Sequence, residues 1–153
     1  IRAIWNGRKL ITRNGEEFSF VPEFFTKLLP PNVSLDGELV IPNKQSSYFS
    51  NITSKTEFDD KWNGIVYRVF DTPHPKAPFH KRLVFLKKII NKINTQKIQI
   101  VQFTPIKQIQ QNLINIHNHF INITKNGGKG IILIHKNNIY VPKKTKYLLK
   151  YEN

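Results

Sequence analysis

The chain of 153 residues contains no cysteine and no methionine. Without cysteine there is no disulfide, no thiol nucleophile and no cysteine-ligated zinc or iron–sulfur site. No run of about 18 apolar residues occurs, so no segment reads as a membrane-spanning helix. No charged-then-apolar leader opens the sequence either. The start at Ile1, with methionine missing throughout, suggests a fragment or a processed form.

Negative charge is absent where it would be most expected. The formal net charge is +14, yet residues 1–71 hold nine acidic and nine basic residues and are neutral. Residues 72–151 hold fifteen Lys or Arg and no Asp or Glu, and Glu152 is the only acid after Asp71. Lys outnumbers Arg 19 to 5, and Ile (21) and Asn (16) are abundant, as AT-rich coding would produce. That bias explains Lys over Arg but not eighty residues without an acid. A field of one sign suits a polyanion, most simply nucleic acid, and no membrane partner is expected.

What is present reads as α+β, with antiparallel sheets and helices packed on them. Ile1–Trp5 and 10–13 read as a hairpin around Asn6-Gly7, with a second turn at Asn14-Gly15. Residues 22–29 read as a short helix with Pro22 in its first turn. Residues 33–41 read as a strand interrupted by Asp36-Gly37. Residues 42–63 read as loop with short pieces, and 65–70 as a buried strand. After an extended crossing at 72–78, a helix over 81–93 turns Leu83, Leu86, Ile90 and Ile93 inward and Lys87, Lys88 and Lys92 outward. Strand 98–103 follows. Thr104-Pro105 then caps a helix to about Ile121, with Ile106, Ile109, Leu113, Ile116 and Phe120 inward. Strands at 130–134, 139–141 and 147–151 close the chain. The five histidines show no metal-ligand spacing; His117 and His119 point to different helix faces.

Seven segments, in order, resemble the motifs of covalent nucleotidyltransferases. Ile1-Arg2-Ala3-Ile4-Trp5 resembles the residues after the lysine motif Lys-x-Asp-Gly-x-Arg. Thr12-Arg13-Asn14-Gly15 resembles the Ser/Thr-Arg-Asn-Gly turn, and Leu35-Asp36-Gly37-Glu38-Leu39 the carboxylate strand. Tyr67-Arg68-Val69-Phe70-Asp71 resembles the base-stacking strand, and Pro78-Phe79-His80-Lys81-Arg82-Leu83 a Gly-Pro-Phe-x-x-Arg-Leu helix start. Residues 127–133 and 148–151 resemble the last two motifs. Across the whole chain the resemblance is to the adenylation domain of ATP-dependent DNA ligases, above all the small bacterial-type enzymes. It implies the nucleotidyltransferase fold shared with mRNA capping enzymes (ATP-grasp-like), one domain over 1–153. The preceding lysine motif and the following oligonucleotide-binding (OB) domain would be lacking.

The resemblance also implies chemistry. Such enzymes move AMP from ATP to a lysine, then to the 5′-phosphate of a nick, and a 3′-hydroxyl displaces it. ATP or AMP and Mg²⁺ are the implied cofactors, and nicked duplex DNA the implied partner, with an OB domain or a partner protein beside it. By resemblance Arg2 contacts the nucleotide, Glu38 the ribose, Phe70 the adenine face and Lys150 the α-phosphate. Arg13 lies near the nucleotide or the DNA phosphates, and Lys143, Lys144 and Lys146 are assigned to nucleic acid. Each has a plainer reading: Phe70 as core, Asp71 or Asp36-Gly37 as turns, the arginines as solvated surface.

Three departures concern the catalytic groups. The nucleophilic lysine would precede Ile1, so no catalytic residue is assigned. The carboxylate expected in Gly-Gly-Glu-Gly is Lys129, a cation that repels Mg²⁺, so metal binding is in doubt and no metal ligand is assigned; Ile134 replaces the basic residue closing that strand. The last motif ends Lys150-Tyr151-Glu152, which suggests a Lys129–Glu152 ion pair across the site. Two readings therefore lead: a nick-sealing adenylation domain, impaired as written, or a degenerate ligase-like domain kept as a nucleic-acid-binding or structural module. A third, an RNA ligase or capping-type relative, is disfavoured by the helix start at residues 78–83, which resembles the DNA ligase branch.

Overall fold

The computed structural model describes residues 1–152 apart from Pro75, Lys107, Gln108 and Pro142, and gives no account of the side chains of 109–112. The chain divides into two compact units, Ile1–His74 with Lys81–Val101, and Pro75–His80 with Gln102–Asn153.

The first unit is built on a five-stranded sheet. Strands β1 (Arg2–Trp5), β2 (Leu10–Thr12), β3 (Leu35–Val40), β4 (Val66–Asp71) and β5 (Ile98–Ile100) lie in the order β2-β1-β3-β4-β5. The β1–β2 hairpin closes at Asn6-Gly7 as the sequence predicts. The Asn6 side chain accepts from the Arg8 and Lys9 amides, and Gly7 takes φ 94°, where a side chain would be strained. Helix α1 is shorter than expected, Glu23–Thr26, with Pro22 just outside it.

Pairing is antiparallel except at β4–β5, which is parallel. The reason is the connection: helix α2 (Phe79–Ile93) carries the chain back to the starting edge, as parallel strands require. Leu86 and Ile90 of α2 are buried, Leu83 and Ile93 half-buried, and Lys87, Lys88 and Lys92 exposed, the predicted faces. Ala3, Trp5, Leu39, Tyr67 and Val69 supply the sheet side of the core. Residues 42–63 fold into two 3-10 turns, Ser46–Thr53 and Asp60–Asn63, which bury Phe49, Ile52 and Trp62. Asp59 caps the second turn, and the Lys61 amide bonded to its carboxylate holds that carboxyl below its usual range.

In the second unit, helix α3 (Ile109–Lys125) packs on a hairpin of β6 (Gly130–Ile134) and β7 (Leu148–Glu152). Thr104–Ile106 are not helical, so the predicted cap at Thr104-Pro105 is not made, and the helix runs past Ile121. Phe120 is buried and Ile116 half-buried as expected, but Ile106 (52%) and Leu113 (65%) are exposed; Ile109 lies outside the described side chains. The lengths explain Leu113. A helix of 17 residues spans about 25 Å, while strands of five residues span about 17 Å. The helix overhangs its sheet. Residues 139–141 form no strand; Ile139 makes only an isolated bridge to Pro78. Of the extended crossing, Pro75 lies outside the described residues.

Gly127 and Gly128 end α3. The Gly128 amide donates to the Ile123 carbonyl (2.9 Å) and the Gly127 amide to the Thr124 carbonyl (3.1 Å), with Gly127 at φ 82°. That is a Schellman stop, which demands a residue tolerant of the left-handed region. Gly130 is fixed for another reason: a Cβ there would lie 2.2 Å from the Tyr151 carbonyl oxygen.

Candidate nucleotide site

Three neighbouring strands carry the site in the first unit. Arg2 on β1 stands opposite Glu38 on β3, and Glu38 stands opposite Arg68 on β4. Register partners project from the same face, so Glu38 stands between Arg2 and Arg68 on that face. All three are exposed, Glu38 with 56% of its side chain open.

Asp36 is the anchor of this face. Its side chain is fully buried and forks to Arg2, with Nε to Oδ1 at 3.1 Å and Nη2 to Oδ2 at 2.6 Å. A buried carboxylate persists when such a partner meets both oxygens. The Arg2 guanidinium carbon also lies 5.6 Å from the centre of the Phe70 ring, within cation–π range. Phe70 is half-buried rather than plain core. Arg2, Asp36, Glu38 and Phe70 therefore form one connected patch.

The predicted interruption at Asp36-Gly37 is a correction. β3 runs unbroken through both residues, and the irregularity falls on its partner. Gly37 pairs with Val69 and Asp36 with Asp71, so β4 advances two residues while β3 advances one. Phe70 is the extra residue of a bulge. Gly37 is required by close approach: a Cβ there would lie 2.5 Å from the Arg68 carbonyl oxygen and 2.6 Å from Tyr67 Cε2. The Tyr67 hydroxyl lies between the Ala3 and Leu35 carbonyls, at 2.9 and 3.1 Å, which ties three strands together behind the patch.

Asp71 is not a turn residue. It ends β4, is buried, and forks to Arg82 of α2, with Nε to Oδ1 at 2.8 Å and Nη2 to Oδ2 at 3.1 Å. Asp36 and Asp71 are thus two buried carboxylates in register, each with its own arginine. Neither fork was singled out from sequence. The signal for Arg82 was available: Arg82, Leu86 and Ile90 repeat at four residues, so Arg82 falls on the apolar stripe of α2. A charge in that position must be paired.

The remaining residues lie elsewhere. Arg13 is exposed at the β2 turn, beside Asn14 and Gly15. Lys150, Lys143, Lys144 and Lys146 are exposed in the second unit. In the β6–β7 register Lys150 faces Ile132, and Tyr151 faces Ile131. Tyr151 stacks on Phe120 of α3, centroids 4.3 Å apart, so alternation sends Lys150 to the face away from the helix. The Lys129–Glu152 ion pair is not formed among the described residues. Glu152 stands opposite Gly130, and Lys129 precedes the paired strand.

The carboxylates present do not make a magnesium site. Asp36 and Asp71 are engaged by arginines, and Glu38 stands between Arg2 and Arg68 in the strand register. Among the described residues no cluster of three or more histidine, aspartate or glutamate side chains could hold a metal.

No protein-family model matches the chain. A curated DNA ligase from Haemophilus influenzae is 29% identical over 150 residues, covering 98% of this chain and 53% of that protein. A solved Lig E DNA ligase, described as binding DNA with a minimal scaffold, superposes with a TM-score of 0.86 at 26% identity, over 100% of this chain and 58% of that one. The Chlorella virus DNA ligase–adenylate superposes with a TM-score of 0.76 at 19% identity, over 99% and 57%, a likeness of fold. The chain spans about half the length of the curated relative it matches.

Proposed function

From a chain with the fold of an ATP-dependent DNA ligase adenylation domain, and with sequence likeness to DNA ligases, we propose that the β1–β3–β4 patch binds the adenosine part of ATP or AMP and that the protein acts in ligase-type DNA end joining. The observation that carries this is the connected set Arg2, Asp36, Glu38 and Phe70 on one sheet face.

Phe70 offers its ring to the adenine, and stacking of a base on an aromatic tolerates a half-open site. Glu38, exposed and acceptor-only, suits the ribose hydroxyls. Arg2, held by Asp36, brings a fixed cation towards the nucleotide. Lys150 is assigned to the α-phosphate. Arg13, Lys143, Lys144 and Lys146 are assigned to the phosphates of nicked DNA, where each neutralised phosphate adds affinity that falls with salt. In ligases the metal attends the transferred phosphate. Asp36 and Asp71 are already paired with arginines, so neither is assigned to that metal.

Lys129 favours a second reading, in which the domain keeps nucleotide or DNA binding without nick sealing. Calorimetric titration of the chain with AMP and ATP tests the first assignment. Binding is expected, and Phe70→Leu is expected to weaken it about tenfold, as loss of one stacked ring implies. Binding that ignores Phe70→Leu would refute the assigned site. Electrospray mass of the longest native form, incubated with ATP and Mg²⁺, separates the two readings, because only a competent adenylation domain that carries the lysine gains one AMP.

A further inference from the structure

We infer that Arg82, buried on α2, is a positioning residue for the base, acting through Asp71 on the bulge that presents Phe70. This rests on the proposed adenosine site. The inference starts from the bulge. Phe70 is the residue left over when Val69 and Asp71 pair with Gly37 and Asp36. An unpaired bulge residue is aimed by whatever fixes its flanks. The flank before it is fixed: Val69 is buried in the core, opposite the Gly37 that admits no Cβ.

The flank after it is fixed by side chains. The Arg82 fork holds both oxygens of Asp71. Asp71 Oδ1 also accepts the Thr72 amide at 2.8 Å, and the Thr72 hydroxyl donates to the Ser34 carbonyl at 2.8 Å. Arg82 therefore anchors the end of β4 to α2, while Thr72 anchors it to the residue before β3. Arg82 is 2% exposed, so it meets no ligand itself. The core does not need a charge on the α2 stripe, where an aliphatic residue would pack with Leu86 and Ile90. What the fork adds is direction: the planar guanidinium holds both carboxylate oxygens in its own plane through Nε and Nη2, and that restrains the end of β4 next to Phe70.

The test compares AMP with ribose 5-phosphate, which lacks the base, by titration of wild type, Arg82→Lys, Phe70→Leu and the double variant. Lysine keeps the charge but not the fork. Arg82→Lys is expected to weaken AMP about tenfold and leave ribose 5-phosphate unchanged, and the double variant to lose no more than Phe70→Leu alone. Equal loss of both ligands would reduce Arg82 to a purely structural role and overturn the inference. Unchanged AMP affinity would do the same. If wild type binds no AMP, the site reading beneath the inference fails instead. Should Arg82→Lys not fold, Thr72→Val loosens the same flank from the other side and carries the same expectations.

Discussion

The Arg82–Asp71 pair makes a quantitative claim about stability. Its side chains are 1% and 11% exposed, with two hydrogen bonds of 2.8 and 3.1 Å. Removing one partner of such a pair leaves the other buried without its opposite charge, at about 3–5 kcal/mol. Replacing both with apolar groups removes that imbalance. Arg82→Met and Asp71→Leu should therefore each cost about 3–5 kcal/mol, and the double variant much less than their sum, with a coupling of about 2 kcal/mol or more. Both tryptophans, Trp5 and Trp62, sit buried in the first unit, so urea unfolding followed by tryptophan fluorescence reports on that unit alone. Strictly additive single and double variants would mean that solvent or other groups satisfy each charge, and the fork would lose its structural meaning.

Gly37→Ala should destabilise the first unit by about 1–3 kcal/mol, as overpacking does, because its Cβ would meet the Arg68 carbonyl oxygen at 2.5 Å; the same fluorescence assay would show a lower midpoint at unchanged slope. Neutralising Lys143, Lys144 and Lys146 together should weaken binding to nicked duplex DNA. It should also lower the slope of log affinity against log salt by about 0.9 for each lysine that touches a phosphate. A slope equal to wild type would remove these three from the interface.

The parts of this fold that the sequence makes legible are those governed by local rules. The Asn6-Gly7 hairpin and the inward row Leu86–Ile90 of α2 each follow from a turn preference or a 3.6-residue period. Misreadings occur where a distant partner decides. Asp36-Gly37 looks like a turn until Tyr67 and Arg68 press on Gly37 from the next strand. Leu113 looks like core until the sheet beneath α3 ends short of it. At the site, Arg2, Glu38 and Phe70 came from motif order. The buried forks Arg2–Asp36 and Asp71–Arg82 required knowing that residues 34 and 11 positions apart meet.

The glycines around Lys129 have a consequence for how such signatures should be weighed. Gly127 and Gly128 answer to a helix stop and Gly130 to a strand crossing close by, whatever chemistry the loop performs. Lys129 between them is exposed. The three glycines are fixed by the fold, and the exposed position 129 is not. A lineage could reverse the charge at that single codon at almost no cost in stability. The motif would still be recognisable long after its activity had changed.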